Sequence, residues 1–306
     1  MTRKKKSLLL FIPFVVIYFI ARSLPVEPCE FLHEETYNEE GVLDYCGPGD
    51  SGFVDLTTRK WPLKMDLRAL GGLEPNKACE FEINLKEFDG SPLAADEVAL
   101  SHTQKIHLLA IDSTLQDYQH LHPEPDSLFD GIWRFKITPK YSGEYKIFLD
   151  LIPIRSPRRI LLSGSFSVDG PDRGVQDKTH STQVSVGSRK FAVEIEPNEF
   201  SDEVILTFKA RDELGSPLLL RPVMGAHAHM VAFDWERKGF AHLHPLETED
   251  LTGPAVRPSS NDLQFSFNSS EIEQCRLWVQ VLLEEDEFET FIPFNLDFRE
   301  LPHETN

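Results

Sequence analysis

A block of this chain occurs twice. Gly90-Ser91-Pro92-Leu93 recurs as Gly215-Ser216-Pro217-Leu218, 125 residues on, and His120-Leu121-His122-Pro123 recurs as His242-Leu243-His244-Pro245, 122 residues on. The offset of 122 also carries His107 onto His229 and Asp112 onto Asp234. Further along, Trp133, Phe135 and Ile137 fall on Leu263, Phe265 and Phe267 at an offset of 130, as Lys146-Ile147-Phe148 falls on Arg276-Leu277-Trp278. Eight residues are therefore inserted in the second copy, in the Pro- and Ser-rich stretch near Gly253 to Asn261. A single match could be chance, but several in the same order mean duplication. The body of this 306-residue chain must fold as two copies of one domain-sized unit, not as one large core.

Within each copy the patterning is that of strands. Phe81-Ile83-Leu85, Trp133-Phe135-Ile137 and Phe191-Val193-Ile195 alternate with polar residues, the period of two expected for half-buried strands. Ile106–Ile111, Tyr145–Ile152 and Leu277–Leu283 are nearly continuous apolar runs, as in strands covered on both faces. Turn signals stand at Asp89-Gly90, Asp130-Gly131 and Ser142-Gly143, and helical periodicity is absent. The expected fold is all-β, with two tandem immunoglobulin-like β-sandwich domains at residues 60–169 and 184–298, a polar linker at 170–183 and a tail at 299–306.

The first residues are of a different kind. Arg3, Lys4, Lys5 and Lys6 precede an uncharged apolar run from Leu8 to Ala21, so residues 1–23 read as a signal peptide or signal anchor. The run is short for a permanent span of about 20 residues. Cleavage after Ser23 and retention as a membrane attachment through residues 8–21 are both open. Either way the remainder is exported, to a periplasmic or extracellular location, and without residues 1–22 it carries 26 Lys+Arg against 50 Asp+Glu. So acidic a surface lacks the cationic footprint that nucleic acid requires, which excludes that partner class. Outside the cytosol a disulfide can persist. Cys29 and Cys46 flank a polar, acidic stretch within residues 24–59 and are expected to bridge it. Cys79 and Cys275 lie in phase with apolar neighbours on strands and read as buried thiols.

Seven of the 11 histidines fall inside the duplicated block: His107, His120 and His122 in the first copy, His227, His229, His242 and His244 in the second. His-x-His on a strand places both rings on one face. The strands carrying His107 and His120 are separated by a short loop around Thr114 and Leu115, so they should form a hairpin that brings His107 across from His120 or His122. Three or four imidazoles gathered in this way suit copper(II) or zinc(II), which take neutral imidazole nitrogen. A purely structural reading stands beside this one, because His107 and His229 share a face with Leu109/Ile111 and Val231/Phe233 and could be core histidines. Met224 and Met230 lie near, although Met230 alternates away from His229. His33, His102, His180 and His303 stand alone and read as surface residues. No catalytic residue can be named: Ser163-Gly164-Ser165 is not a nucleophile elbow, and Walker, GxGxxG, HExxH and CxxC patterns are missing.

The segments HLLAIDSTLQDYQHLHPEPD, GIWRF and SGEYKIFLDLIP resemble a group of poorly characterised exported bacterial β-sandwich domains with an Asp-Leu-x-x-Phe/Tyr-x-His-x-His-Pro motif. The second copy carries the resemblance in GAHAHMVAFDWERKGFAHLHP. Members often accompany heavy-metal handling, which implies that role here for His107, His120, His122, His229, His242 and His244. Ser113-Thr114-Leu115 alters the Asp-Leu dipeptide, and the second copy has Glu273-Gln274-Cys275 where a Gly-x-Tyr strand is expected. The expectation is a non-enzymatic exported protein whose histidine clusters bind copper or zinc. Its alternative is a metal-free structural or interaction module with a protein partner in the cell envelope.

Overall fold

The computed structural model describes residues 13–15, 17–19, 52–156, 158–171, 174–197, 203–246 and 259–299. Residues 13–15 and 17–19 are helical; the rest of the expected signal segment, Cys29, Cys46, His33, His303 and most of the inserted stretch lie outside the described residues. Among the described residues no helix is long and apolar enough to cross a membrane.

After a short strand β1 (Val54–Asp55), the first half of the body runs through β2 (Leu63–Ala69), β3 (Cys79–Glu87), β4 (Ile106–Asp112), β5 (Tyr118–Leu121), β6 (Glu124–Pro125), β7 (Ile132–Ile137), β8 (Gly143–Leu151) and β9 (Ile160–Val168). The second half runs through β10 (Gln183–Val186), β11 (Arg189–Pro197), β12 (Glu203–Arg211), β13 (Leu220–Arg221), β14 (His229–Phe233), β15 (Gly239–Leu243), β16 (Leu263–Asn268), β17 (Gln274–Leu283) and β18 (Thr290–Asp297). In the first half the sheet β2-β3-β7-β6 covers the sheet β5-β4-β8-β9; in the second, β10-β11-β12-β16 covers β15-β14-β17, with β18 and β13 also on β17. These are two immunoglobulin-like sandwiches, and every strand pair in them is antiparallel.

The alternating strands bury one face each, as patterned. Phe81, Ile83 and Leu85 of β3 meet Trp133, Phe135 and Ile137 of β7 in the first core, and Leu263, Phe265 and Phe267 do the same in the second. Each such side chain contributes about 1.5–3 kcal/mol by leaving water. Cys79 and Cys275 are buried free thiols, and burial pushes the Cys275 thiol up, away from reactivity.

All seven residues of β4 are buried, and the two faces are buried for different reasons. Ile106, Leu108 and Ala110 point into the first sandwich core. The opposite face, with β5 and β8, meets β14, β15 and β17 of the second half: Phe148 packs on Phe233 and Phe240, and Tyr118 on Phe233, Trp278 and Phe291. The continuous apolar runs are therefore strands between a sandwich core and the partner half. Two of the polar contacts across this interface form a matched pair. Lys146 Nζ donates to the Arg237 carbonyl at 2.6 Å, and Arg276 Nε donates to the Leu115 carbonyl at 3.0 Å; the offsets of 130 and 122 interchange the two bonds. The halves thus meet in the self-complementary manner of a two-fold dimer, within one chain.

One contribution lies outside both repeats. β1 pairs with β15, placing Val54 opposite Phe240, and Phe53 enters the second core. A Cβ at Gly239 would come within 1.7 Å of the Val54 carbonyl oxygen, so only glycine admits this strand.

Candidate metal centre

Two loops prepare each centre, and each is built twice. In the hairpin loop after β4, the Asp112 carboxylate accepts the backbone N–H groups of Thr114, Gln116 and Asp117, while Leu115 takes a φ of 60°. In the loop after β14, Asp234 accepts from Glu236 and Gly239, and Arg237 takes a φ of 53°. The carboxylate sets the loop and the loop sets the register. Leu108 opposes Leu121 and Met230 opposes Leu243, so one step further His107 faces His122 and His229 faces His244. The turns before β4 and β14 also match: Ser101 and Gln104 exchange backbone hydrogen bonds, as do Val223 and Ala226. His102 and Met224 both have a φ of 48°.

The result is two triads, His107/His120/His122 and His229/His242/His244, each offering ligand nitrogens within 4.8 Å of one another. The three imidazoles expected in the first copy come together, and three of the four expected in the second do so. His242 lies 5.4 Å from His107 and 5.3 Å from His120, centroid to centroid, so the triads adjoin at the interface between the halves. His227 is buried but stays outside the second triad, and Met230 points into the sandwich core. His180 is exposed, as expected. His102 corrects its expected surface position: it is 7% exposed, and its ring stacks on His244 at 3.6 Å. The turn conformation folds it inward from a loop that, read locally, faces solvent.

Hydrogen bonds determine which nitrogen of each ring is available. His107 Nε2 lies 2.8 Å from the Ser101 carbonyl, which can only accept, so Nε2 carries the proton and Nδ1 the lone pair. His229 is set in the same way by the Val223 carbonyl at 2.8 Å. His120 Nδ1 lies 2.7 Å from Gln280 Oε1, whose orientation is fixed because the Gln280 amide donates to Glu289. His120 thus donates through Nδ1 and keeps its lone pair on Nε2. The lone-pair nitrogens of His107 and His120 then face each other at 3.0 Å. Two lone pairs that close repel unless a cation lies between them. Nitrogens bound tetrahedrally to one zinc ion at 2.0–2.1 Å are about 3.3 Å apart, close to this spacing.

Five further ring nitrogens are buried without a hydrogen-bond partner among the described residues: His122 Nε2, His229 Nδ1, His242 Nε2 and both nitrogens of His244. Protons do not fill the gap. Burial, with repulsion from the neighbouring rings, holds His120, His242 and His244 well below the ordinary histidine value; burial lowers His122 to about 3 and His229 to about 4. At neutral pH these rings are uncharged, the form that binds metal. An orphaned buried polar atom is costly, at roughly 1–3 kcal/mol each, which makes five in one place a strong sign of a missing partner.

Behind the rings stands an outer shell that pattern reading did not single out. Asp150 Oδ2 lies 3.5 Å from His242 Nδ1, and Arg159 clamps Asp150 through Nε at 2.9 Å and Nη2 at 2.6 Å. At the offset of 130, Asp150 corresponds to Gln280 and Arg159 to Glu289, so each half supplies the outer shell for the other half's triad. The available signal was a lone Asp or Gln interrupting each apolar run, IFLDLI and LWVQVL.

Three solved structures share limited likeness with the chain. A DUF4785 family protein from Legionella pneumophila is 8% identical, with 78% of this chain and 58% of that chain covered and a TM-score of 0.25. The fibronectin(III)-like modules of Clostridium thermocellum CbhA are 14% identical, with 80% and 99% covered and a TM-score of 0.19. MtrC from Shewanella baltica is 6% identical, with 75% and 68% covered and a TM-score of 0.22. This chain thus spans only 58% of the length of the Legionella protein. No curated protein matches. The pattern of a domain of unknown function, DUF8832, matches residues 62–157 and again 185–299, one stretch in each sandwich. The chain belongs to the DUF8832 family.

Proposed function

We propose that this is an exported, non-enzymatic protein that holds two divalent transition-metal ions, copper or zinc, at the interface between its sandwiches. The observation that carries the reading is the pair of all-histidine triads, in which five buried ring nitrogens have no hydrogen-bond partner among the described residues. An all-imidazole set with no thiolate suits Cu(II) or Zn(II). His107 and His229 present Nδ1 and His120 presents Nε2, each oriented by the bond at its other nitrogen, as metal-ligating histidines are. The resemblance to exported domains associated with heavy metals, and the cationic-then-apolar start of the chain, support the same reading. Binding or carriage of the ion is the activity assigned, with attachment to the cell envelope through the N-terminal segment.

The test is metal analysis of full-length protein purified without an affinity tag and dialysed against buffered copper(II) or zinc(II). Two ions per chain are expected, with a raised melting temperature. No stoichiometric metal and unchanged melting would overturn the proposal.

A further inference from the structure

The pseudo-two-fold relation is broken in the outer shell. Behind His120, Gln280 accepts a bond at 2.7 Å and passes its amide to Glu289, so this shell carries one negative charge. Behind His242, the Asp150 carboxylate is more distant, at 3.5 Å, and its charge is cancelled by the buried Arg159 guanidinium. A dication in the first triad would therefore face a net negative shell through a short, orienting hydrogen bond. In the second triad it would face a neutral shell containing a cation. A small cavity between His102, Asp150, Arg159, His242 and His244 also abuts the second triad. There the inward turn carries His102, where the counterpart turn of the other half carries Met224.

We propose that the two centres are unequal: the His107/His120/His122 centre retains its ion, and the His229/His242/His244 centre, beside the cavity, exchanges it. This rests on the reading that both triads hold a divalent metal. Charge, hydrogen-bond length and the cavity all point in the same direction. Outer-shell partners of metal-bound histidines change affinity by about 10–100-fold. Glu289 is exposed, so solvent screening places the expected difference at the lower end, about tenfold.

The experiment is a zinc(II) titration of the metal-free full chain against a chromophoric chelator. Two classes of site about tenfold apart are expected. His244→Gln should remove the weaker class and His122→Gln the tighter. Glu289→Gln, a change at an exposed position that leaves every ligand in place, should weaken only the tighter class. Two sites of equal affinity overturn this inference and leave the proposed function standing, as does loss of the tighter class in His244→Gln. A chain that takes up no zinc overturns both.

Discussion

Acid should weaken the metal-free protein well above the pH at which its carboxylates titrate. His120, His229 and His242 are 8%, 1% and 2% exposed, and all three are held below the ordinary value of 6.5, His229 at about 4. As pH falls below 6.5 the unfolded chain binds protons at these rings while the folded chain does not, so stability must fall with pH. Above that range both states are neutral and the effect vanishes; for His229 it levels off below about pH 4, where the folded ring protonates too. Between about pH 6.5 and 5 each ring contributes a loss of about 1–2 kcal/mol, or roughly 5 kcal/mol for the three. His122 and His244 act in the same direction. Total folding stabilities of about 5–15 kcal/mol make such a loss decisive. Guanidinium unfolding at half-unit steps across this pH range, with metal removed, measures it. His242→Gln should lower the slope by about 1 kcal/mol per pH unit. A flat profile, or a variant slope equal to the parent's, would refute the burial argument.

Other perturbations test single parts of the structure. Asp150→Ala leaves the buried Arg159 guanidinium without its carboxylate and should cost about 3–5 kcal/mol in chemical denaturation, with most of it recovered in Asp150→Ala/Arg159→Leu. Phe233→Ala removes a fully buried ring between Tyr118, Phe148 and Phe240 and should cost about 3–5 kcal/mol, whereas Phe288→Ala, at an exposed position, should stay within about 0.5 kcal/mol. Zinc at about one hundred times its dissociation constant should stabilise the fold by about 2.7 kcal/mol per ion, measured as a shift in the unfolding midpoint.

Much of this architecture is legible in the sequence because it is local and repeated. Alternation in Phe81-Ile83-Leu85 reports one buried face, and the short loop after Asp112 reports the hairpin that opposes His107 and His122. What covers the second face of Ile106–Asp112 is not legible, since a residue buried by another sandwich and one buried by its own look alike in sequence. Sequence alone therefore leaves both the core and the ligand readings of His107 open; at the interface its ring lies beside those of His102, His120, His122 and His242. His102 departs from its expected surface position for the same reason: its burial comes from a turn conformation and from His244, 142 positions away. β1 has two residues, too few for any periodicity. Asp150 and Gln280 leave a trace as polar interruptions of apolar runs, but their role depends on a ring from the other half.

The most direct measurement is anomalous diffraction at the zinc edge from crystals of the full chain loaded with zinc(II). Two peaks per chain are predicted, one bounded by His107, His120 and His122 and the other by His229, His242 and His244. Ordered protein with no peak in either triad would contradict the account.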